Sequence, residues 1–270
     1  MLRHSSDLSG TIVKSNKPIA VFSGGEVEIP KSISDLDSVM SQLLPVEHWD
    51  TKFIVPPLYP RSDFLIRIYA FNPNTSVTVR NETHEKTHSL TAGMFIEEHL
   101  GNGPVVVNSS QPISVVQYAF SENHDPSSHG DPLMMVIPGI HQFSSDYLFP
   151  TKTDHNEMKH YVAVIIRNNS LSGLRLDGKL LVAKIFPVHF SEEDYVVVVQ
   201  ELRGYVHKLT HNDHTIKFGA LVYGFGANLG YGFPAGFEFL DIGRYPRKVY
   251  VYLLLHGIPY GTIIPECIMC

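Results

Sequence analysis

The sequence predicts an all-β protein made of tandem β-sandwich-like repeats with one short helix, and three observations carry that expectation. The phrase GTIVKSNKPIAVFSG, residues 10–24, returns as GPVVVNSSQPISVVQYA, residues 103–119. Anchors along the chain keep a near-constant offset: Pro18 to Pro112 is 94, Pro45 to Pro138 is 93, Phe53 to Tyr147 is 94 and Pro56 to Pro150 is 94. Between the anchors lie short runs of Val, Ile, Tyr and Phe punctuated by turn residues, the pattern of strands joined by tight corners. A third, fainter echo is FGALVYGFG, residues 218–226, whose Tyr223 and Phe225 answer Tyr118 and Phe120. Self-similarity of this kind suggests a scaffold or binding array before an active site.

Each copy of the repeated phrase contains a polar-Pro corner, Lys17-Pro18 and Gln111-Pro112. Proline cannot donate to a ladder, so it belongs at a strand start or an irregularity. The corners lead into Ile19 and Ile113, which the repeat predicts to be equivalent core positions. After Ser34 the apolar residues Leu36, Val39, Met40, Leu43 and Leu44 fall on one 3.6-residue face before Pro45. With Ser34 as N-cap and Asp37 three residues on, this predicts the helix. Strands follow over residues 64–71, 76–80, 133–137, 161–167, 195–200 and 215–225. Asn72-Pro73-Asn74 and Asp177-Gly178 read as hairpin turns, the second because Asp-Gly tolerates positive φ. The repeated phrases end near Gly24, Ala119 and Gly226, predicting a domain over 8–236 composed of units at about 25–120 and 121–226. A tail at 237–270 follows, read as partial or disordered.

With 270 residues and 43% hydrophobic content the chain can bury a sizeable core. A net charge of -6 with no Lys/Arg block leaves no electrostatic footprint for a phosphate backbone, so nucleic acid is not an expected partner. The longest apolar stretch, 249–255, is too short to span a bilayer. The N-terminus, MLRHSSDLSG, has no apolar signal-type region. Asn74, Asn81, Asn108 and Asn168 nevertheless each begin an N-x-S/T sequon, where about one or two would arise by chance. These read together as a fragment of an extracellular glycoprotein. The two cysteines, Cys267 and Cys270, lie at the extreme C-terminus and say nothing of redox compartment.

The series GTIVKSNKPIAVFSG, QLLPVEHW, FIVPPL, NTSVTV, GDPLMMVIPGIHQF, YLFPT, SGLRLDG and FGALVYGFG followed by YGFPAG carries a resemblance over about residues 8–236. In that order these phrases resemble the N-terminal domain of the IgGFc-binding protein family. The resemblance implies a secreted, surface or mucus-associated adhesion or binding domain, with neither a catalytic residue nor a defined ligand. It also marks departures. Val27 and Leu36 stand near places where the family commonly has cysteines, and Asp50 follows Trp49 where the family prefers Gly.

Three constellations could carry chemistry. The segment ENHDPSSHGDP gathers Asn123, His124, Asp125, His129 and Asp131, oxygen and imidazole groups able to hold a divalent cation. The competing reading makes Gly130-Asp131-Pro132 a plain turn into the strand at 133–137. His207, His211, Asp213 and His214 form a second cluster, with His211 and His214 read as part of a hairpin turn, structural or solvated. The glycine-rich stretch 223–230 mimics a dinucleotide loop, but a phosphate site must open a helix and Tyr231-Gly232-Phe233-Pro234 follows instead. Its alternating Gly and aromatic residues fit either exposed rings or a buried corner.

The expectation is therefore an extracellular, non-catalytic adhesion or recognition module for a glycoprotein, a glycan or a neighbouring module, with no cofactor and no resident metal. Its contacts are expected at His124, Asp125, His129, Asp131, Tyr231 and Phe233, on loops carried by a rigid β scaffold. The alternative is a metal-assisted hydrolase or carbohydrate-active enzyme using the His124/Asp125/His129 loop.

Overall fold

The computed structural model describes residues 8–17, 19–27, 37–101, 103–120, 130–151, 158–190, 193–239 and 249–252. In chain order their strands are β1 (Ile12–Ser15), β2 (Phe22–Val27), β3 (Asp37–Gln42), β4 (Asp50–Val55), β5 (Asp63–Ala70), β6 (Thr75–Arg80), β7 (Glu85–Leu90), β8 (Phe95–Gly101), β9 (Val105–Ala119), β10 (Leu133–Val136), β11 (Asp146–Pro150), β12 (Lys159–Arg167), β13 (Leu174–Leu176), β14 (Lys184–Phe190), β15 (Glu193–Leu202), β16 (Val206–His211), β17 (Gly219–Gly226), β18 (Leu229–Pro234) and β19 (Val249–Tyr252). Short 3-10 turns cover Val46–His48, Ile140–Gln142 and Asn168–Gly173. The ladders between these strands are antiparallel, and the protein is all-β as the sequence predicts.

The pivot is β9, fifteen residues long. Its first half pairs with β4 on one edge and β6 on the other, with Val107 opposite both Phe53 and Val79. Its second half pairs with β5 and β10, with Val116 opposite both Arg67 and Val136. Ile113 faces Asp50 of β4 and Ala70 of β5 at once. Hence β5 and β6 follow one another along one edge of β9, and β10 and β4 along the other. Pro112 sits where the β4 ladder jumps register, so its missing N–H interrupts no regular pairing.

The same ladder pattern occurs a second time. β16 is flanked by β11 and β13 as the first half of β9 is flanked by β4 and β6, and β17 is flanked by β12 and β18 as the second half is flanked by β5 and β10. β15 lies outside β12 as β8 lies outside β5. In this second set the central strand is interrupted at 212–218. What is one curled sheet around β9 is therefore two separate sheets here, β11-β16-β13 and β14-β15-β12-β17-β18.

The layers follow from side-chain parity. In β12, Tyr161, Ala163 and Ile165 face the curled sheet and join one core with Phe53, Ile66, Ile68, Val107, Leu221 and Tyr223. Val162, Val164 and Ile166 face the other way, onto Tyr147, Phe149, Leu174 and Leu209 of β11-β16-β13. The middle sheet is covered on both faces, which is why β12 and β15 read as continuous apolar runs, YVAVII and YVVVV. Each such side chain contributes roughly 1.5–3 kcal/mol on burial. A third cluster, with Val39, Leu43, Trp49, Tyr69 and Tyr118, fills the space between the curled sheet and the β2-β3 hairpin. Polar strands take the outside. β7 and β8 carry Lys86, His88 and Glu98, with Lys86 Nζ 2.8 Å from Glu98 Oε1, and charge of this kind protects a sheet edge.

Four expectations change. Residues 37–42 are strand β3, paired with β2, in place of the predicted helix. Val39 and Leu43 point inward while Met40 is 60% exposed. An offset of four satisfies helical and strand parity alike, and pairing with β2 decides between them. The first part of that expectation, 31–36, lies outside the described residues. The Asn72–Asn74 corner is a real turn, with Asn74 at φ 55°, but it joins two strands in line along β9 and closes no hairpin. Ile113 is fully buried whereas Ile19 is 43% exposed, so the two are not equivalent in packing. Pro18 lies outside the described residues. Finally, the start of the tail is engaged: Phe237 packs on the Val39/Trp49 cluster, Glu238 N–H donates to the Gln142 carbonyl at 2.9 Å, and β19 pairs with β1.

Asp177-Gly178 is a tight turn as predicted, although it closes a single bridge beyond β13 and joins no second strand. Both residues have positive φ, 52° and 76°, and Leu176 and Lys179 exchange two backbone bonds of 2.9 Å.

Candidate functional site

Residues His124, Asp125 and His129 lie outside the described residues, but both ends of their segment are placed. Arg61, fully buried, donates through Nη1 to the Phe120 carbonyl and through Nη2 to the Gly130 carbonyl. Its guanidinium lies over the Phe225 ring, 4.4 Å from the centroid, a favourable cation–π placement. Gly130 adopts φ +135°, and a methyl there would come within 2.7 Å of Arg61 Nη2 and 2.6 Å of the Phe225 ring. One planar fork thus holds together the two ends of 121–129, a task suited to the guanidinium's fixed donor geometry.

The second candidate element, the aromatic corner, is carried by β18 against β17. These strands close on a two-residue turn, Ala227-Asn228, with Asn228 at φ 52°. The glycine-rich stretch therefore folds back as a hairpin. The alternation has a packing cause. A methyl on Gly230 would lie 2.3 Å from the Asp131 carbonyl oxygen, and one on Gly232 2.5 Å from Met135 Sδ. The glycine face is thus the one that lets the backbone at Asp131 and β10 approach. The opposite face carries Tyr231 and Phe233, stacked with centroids 6.0 Å apart and half-buried on the Val162/Val164 cluster. Asp131 and Tyr231 are neighbours in space, on opposite faces of β18.

A third arrangement joins two of the repeated phrases. The 3-10 turn after Pro45 meets the 3-10 turn after Pro138. Asp50, buried, accepts from Thr51 N–H at 2.6 Å and from His141 N–H at 2.9 Å, and its Oδ1 lies 2.9 Å from His141 Nδ1. Gln142 Oε1 accepts from Gly139 N–H at 2.7 Å while its Nε2 donates to the His48 carbonyl. Asp50, where the resemblance expected Gly, therefore captures the second turn. The His48 ring lies tilted against that of Phe239, centroids 4.3 Å apart, and burial holds its imidazole below its usual value, with Glu47 acting in the opposite direction. The cleft between the turns is lined by Leu44, His48, Trp49, Asp50, Phe53 and Gln142 among others and has room for about one water molecule, far less than a small-molecule pocket requires.

The histidines 207, 211 and 214 separate. His207 and His211, four apart on β16, share its inward face, and His214 is exposed in the turn beyond. His211, expected in the turn, is the last residue of the strand. Its Nδ1 lies 2.9 Å from both the N–H and the carbonyl oxygen of Asp213, and its Nε2 lies 2.8 Å from the Ser170 carbonyl. Among the described residues no group of three or more His, Cys, Asp or Glu gathers as a metal site. No helix among them is long and apolar enough to cross a membrane.

Of the sequon asparagines, Asn74 and Asn168 are exposed, the first in its turn and the second opening a 3-10 turn. Asn81 spends its side-chain oxygen on Thr83 N–H and His84 N–H at 3.0 and 2.8 Å. Asn108 is half-buried in β9 with strands on both sides.

Sequence reasoning did not single out Arg61, nor the pairing of Asp50 with His141. Arg61 has no local signature. The second pairing left one trace, since His48 and His141 keep the 93-residue offset of Pro45 and Pro138.

These features define an all-β domain that presents turns and loops from a layered core. A family model described as IgGFc binding protein matches residues 1–224, and the chain belongs to that family. The human IgGFc-binding protein is 25% identical over 246 residues, which cover 90% of this chain and 4% of that protein. The chain thus spans a small fraction of its relative's length. No solved structure matches it.

Proposed function

We propose that this chain is an extracellular, non-catalytic recognition module that binds a glycoprotein, a glycan or a neighbouring module without an obligatory cofactor. Family membership over residues 1–224 carries the reading. The Arg61 fork supports it, because a loop whose ends are fixed to a buried cation can be presented with less ordering cost on binding. The contact elements of this reading are the segment 123–131, with His124, Asp125, His129 and Asp131, and, on the other face of β18, the half-buried Tyr231 and Phe233. Asn74 and Asn168 are the proposed glycan carriers, being the exposed sequons. The proposed domain runs over 8–236 with related units at about 25–120 and 121–226; the recurring ladder pattern around β9 and around β16 and β17 supports the repeat, although it groups β10 with the first unit and β18 with the second.

The test is secretion from an animal cell behind a supplied signal peptide, followed by binding to immobilised probes with EDTA present. The human relative's name makes IgG Fc the first probe, and a mucin-type glycoprotein with its deglycosylated form is the second. Saturable binding that survives EDTA supports the reading. Turnover of a glycan or peptide substrate that is lost in EDTA and in His124→Ala or His129→Ala would overturn it.

A further inference from the structure

The turns that follow β3, β10 and β18 meet one another. Asp50 captures His141, Glu238 N–H donates to the Gln142 carbonyl at 2.9 Å, and the Phe239 ring lies against that of His48 with centroids 4.3 Å apart. Each turn hands the chain to a strand that pairs with the first half of the next repeated phrase. β4 pairs with β9, and β11 with β16. β19 pairs with β1, back in the first phrase, with Ile12 opposite Tyr252. The series therefore closes on itself: strands from the two ends of the chain build a third unit, with β1 and β2 as its central strand and β19 and β3 beside them.

Beside β2 this third unit lacks a strand that the other two have. The second half of the central strand is flanked by β5 and β10 in the first, and by β12 and β18 in the second. β2 has β3, the counterpart of β10 and β18, and among the described residues no strand on its other edge. That edge is fit for pairing. Leu43 N–H donates at 2.9 Å to the carbonyl of Val21 directly opposite, so the alternate peptide groups, of Phe22, Gly24 and Glu26, face outward. Phe22 is 50% exposed, and Ser23-Gly24-Gly25 carries neither the charge nor the proline that blunts an edge.

We infer that the open edge of β2 is a docking site for residues 262–269 of this same chain, TIIPECIM, which add to it as an antiparallel strand in the place that β5 takes on β9 and β12 on β17. Those residues lie outside the described ones, and spacing selects them. From the start of the strand after the turn to the start of the flanking strand, Asp50 to Asp63 is 13 residues and Asp146 to Lys159 is 13. The same step from Val249, where β19 begins, reaches Thr262. β5 and β12 are 8 and 9 residues long, and Ile263, Ile264, Ile268 and Met269 supply apolar side chains over a matching length. Pro265 fits an outermost strand, where a missing N–H on the outer side interrupts no ladder. Because β19 already holds the segment near β1, pairing costs the closure of one short loop, less than the capture of a separate partner.

Amide hydrogen exchange by NMR tests the inference, comparing the full chain with one that stops after Tyr260. The amides of Phe22, Gly24 and Glu26 are expected to be protected at least about tenfold in the full chain and to lose that protection in the shortened one, while protection in β9 stays within about twofold. No protection in the full chain, or equal protection in both chains, overturns the inference. Protection that falls on dilution together with a sedimenting dimer also overturns it, because the strand would then come from a second copy. Should the shortened chain fail to fold, a nitroxide on Cys267 in the full-length Cys270→Ser variant decides: selective broadening of the β2 amides supports the added strand, and β2 amides no broader than those of β7 overturn it.

Discussion

Arg61 donates to the carbonyl of Gly130, 69 residues further along the chain, and the same guanidinium reaches the carbonyl of Phe120. The bonds are charge-assisted and buried, so replacing the side chain leaves two carbonyls without their donor. Arg61→Met is expected to cost about 3 kcal/mol, and Gly130→Ala at least about 2 kcal/mol, because φ +135° strains any L residue and the methyl meets Arg61. Urea unfolding monitored by tryptophan fluorescence provides the check, read as a lowered midpoint at constant slope. A cost below about 1 kcal/mol for Arg61→Met would mean that the fork holds nothing.

Buried phenols set an alkaline limit. Tyr69, Tyr118, Tyr147, Tyr161, Tyr195 and Tyr223 are all pushed above the usual value of 10, burial being the leading cause in each, and Tyr161 reaches about 12. An acid whose folded value is raised contributes stability below pH 10 that is lost as pH climbs above it, because the unfolded chain ionises first. Absorbance titration near 295 nm should therefore show a gradual phase from exposed phenols, then a steep phase coincident with unfolding above about pH 10. Smooth titration of all thirteen tyrosines around pH 10 with the fold intact would contradict the packing.

Glycines in this chain divide by surroundings. Gly230→Ala places a methyl 2.3 Å from the Asp131 carbonyl oxygen and Gly219→Ala one 2.5 Å from the Phe143 ring. Each is expected to cost about 2 kcal/mol, since backbone or a buried ring must shift. At Gly101 and Gly103 nothing lies within 4 Å. Alanine there is expected to be neutral or stabilising by up to about 0.5 kcal/mol through reduced chain entropy. Differential scanning calorimetry on the four variants separates the groups; a common effect on all of them would refute the division.

Ile113 and Ile19 occupy matched positions in the repeated phrase and different environments in the fold. Ile113→Asp buries an uncompensated carboxylate and is expected to abolish stable folding, a loss of about 4 kcal/mol or more. Ile19→Asp, on an exposed side chain, is expected to stay within about 0.5 kcal/mol of the unmodified protein. Circular dichroism melts on the pair would decide, and equal loss in both would show that Ile19 is core.

Much of the scaffold was legible. The runs 161–167 and 195–200 became β12 and β15 because a strand covered on both faces writes itself as unbroken Val and Ile. Asp177-Gly178 became a tight two-residue turn because both residues tolerate positive φ. Other strands were hard to see. β7 and β8, EKTHSL and FIEEHLG, lie at the margin of the curled sheet, where exposed charge protects an edge and hides the usual apolar signal. At 37–42 the sequence allowed two periods. Val39 and Leu43 lie on one face of a helix and on one side of a strand, and the partner β2 settled the matter through backbone hydrogen bonds.

The candidate site divides along the same line. His124, Asp125, His129 and Asp131 stood out as a dense polar stretch, and Tyr231 and Phe233 as aromatics among glycines. Composition alone is enough to notice them. That Asp131 lies against Gly230, that the rings turn away from it onto the Val162 cluster, and that Asp50 meets His141 were written nowhere nearby.

By itself the sequence determined that this chain is all-β, where most of its buried strands run, where its turns fall, and to which family it belongs. These are properties of neighbouring residues, since strand parity, turn dihedrals and motif order act over a few positions. The tertiary structure alone decided which distant groups share a charge or a proton: Arg61 with Phe120 and Gly130, Asp50 with His141, His207 with Asp177. Those partners stand 30 to 91 residues apart, and they meet because β9 and its counterparts carry strands along both edges, a path fixed by burying the sheets' faces against one another.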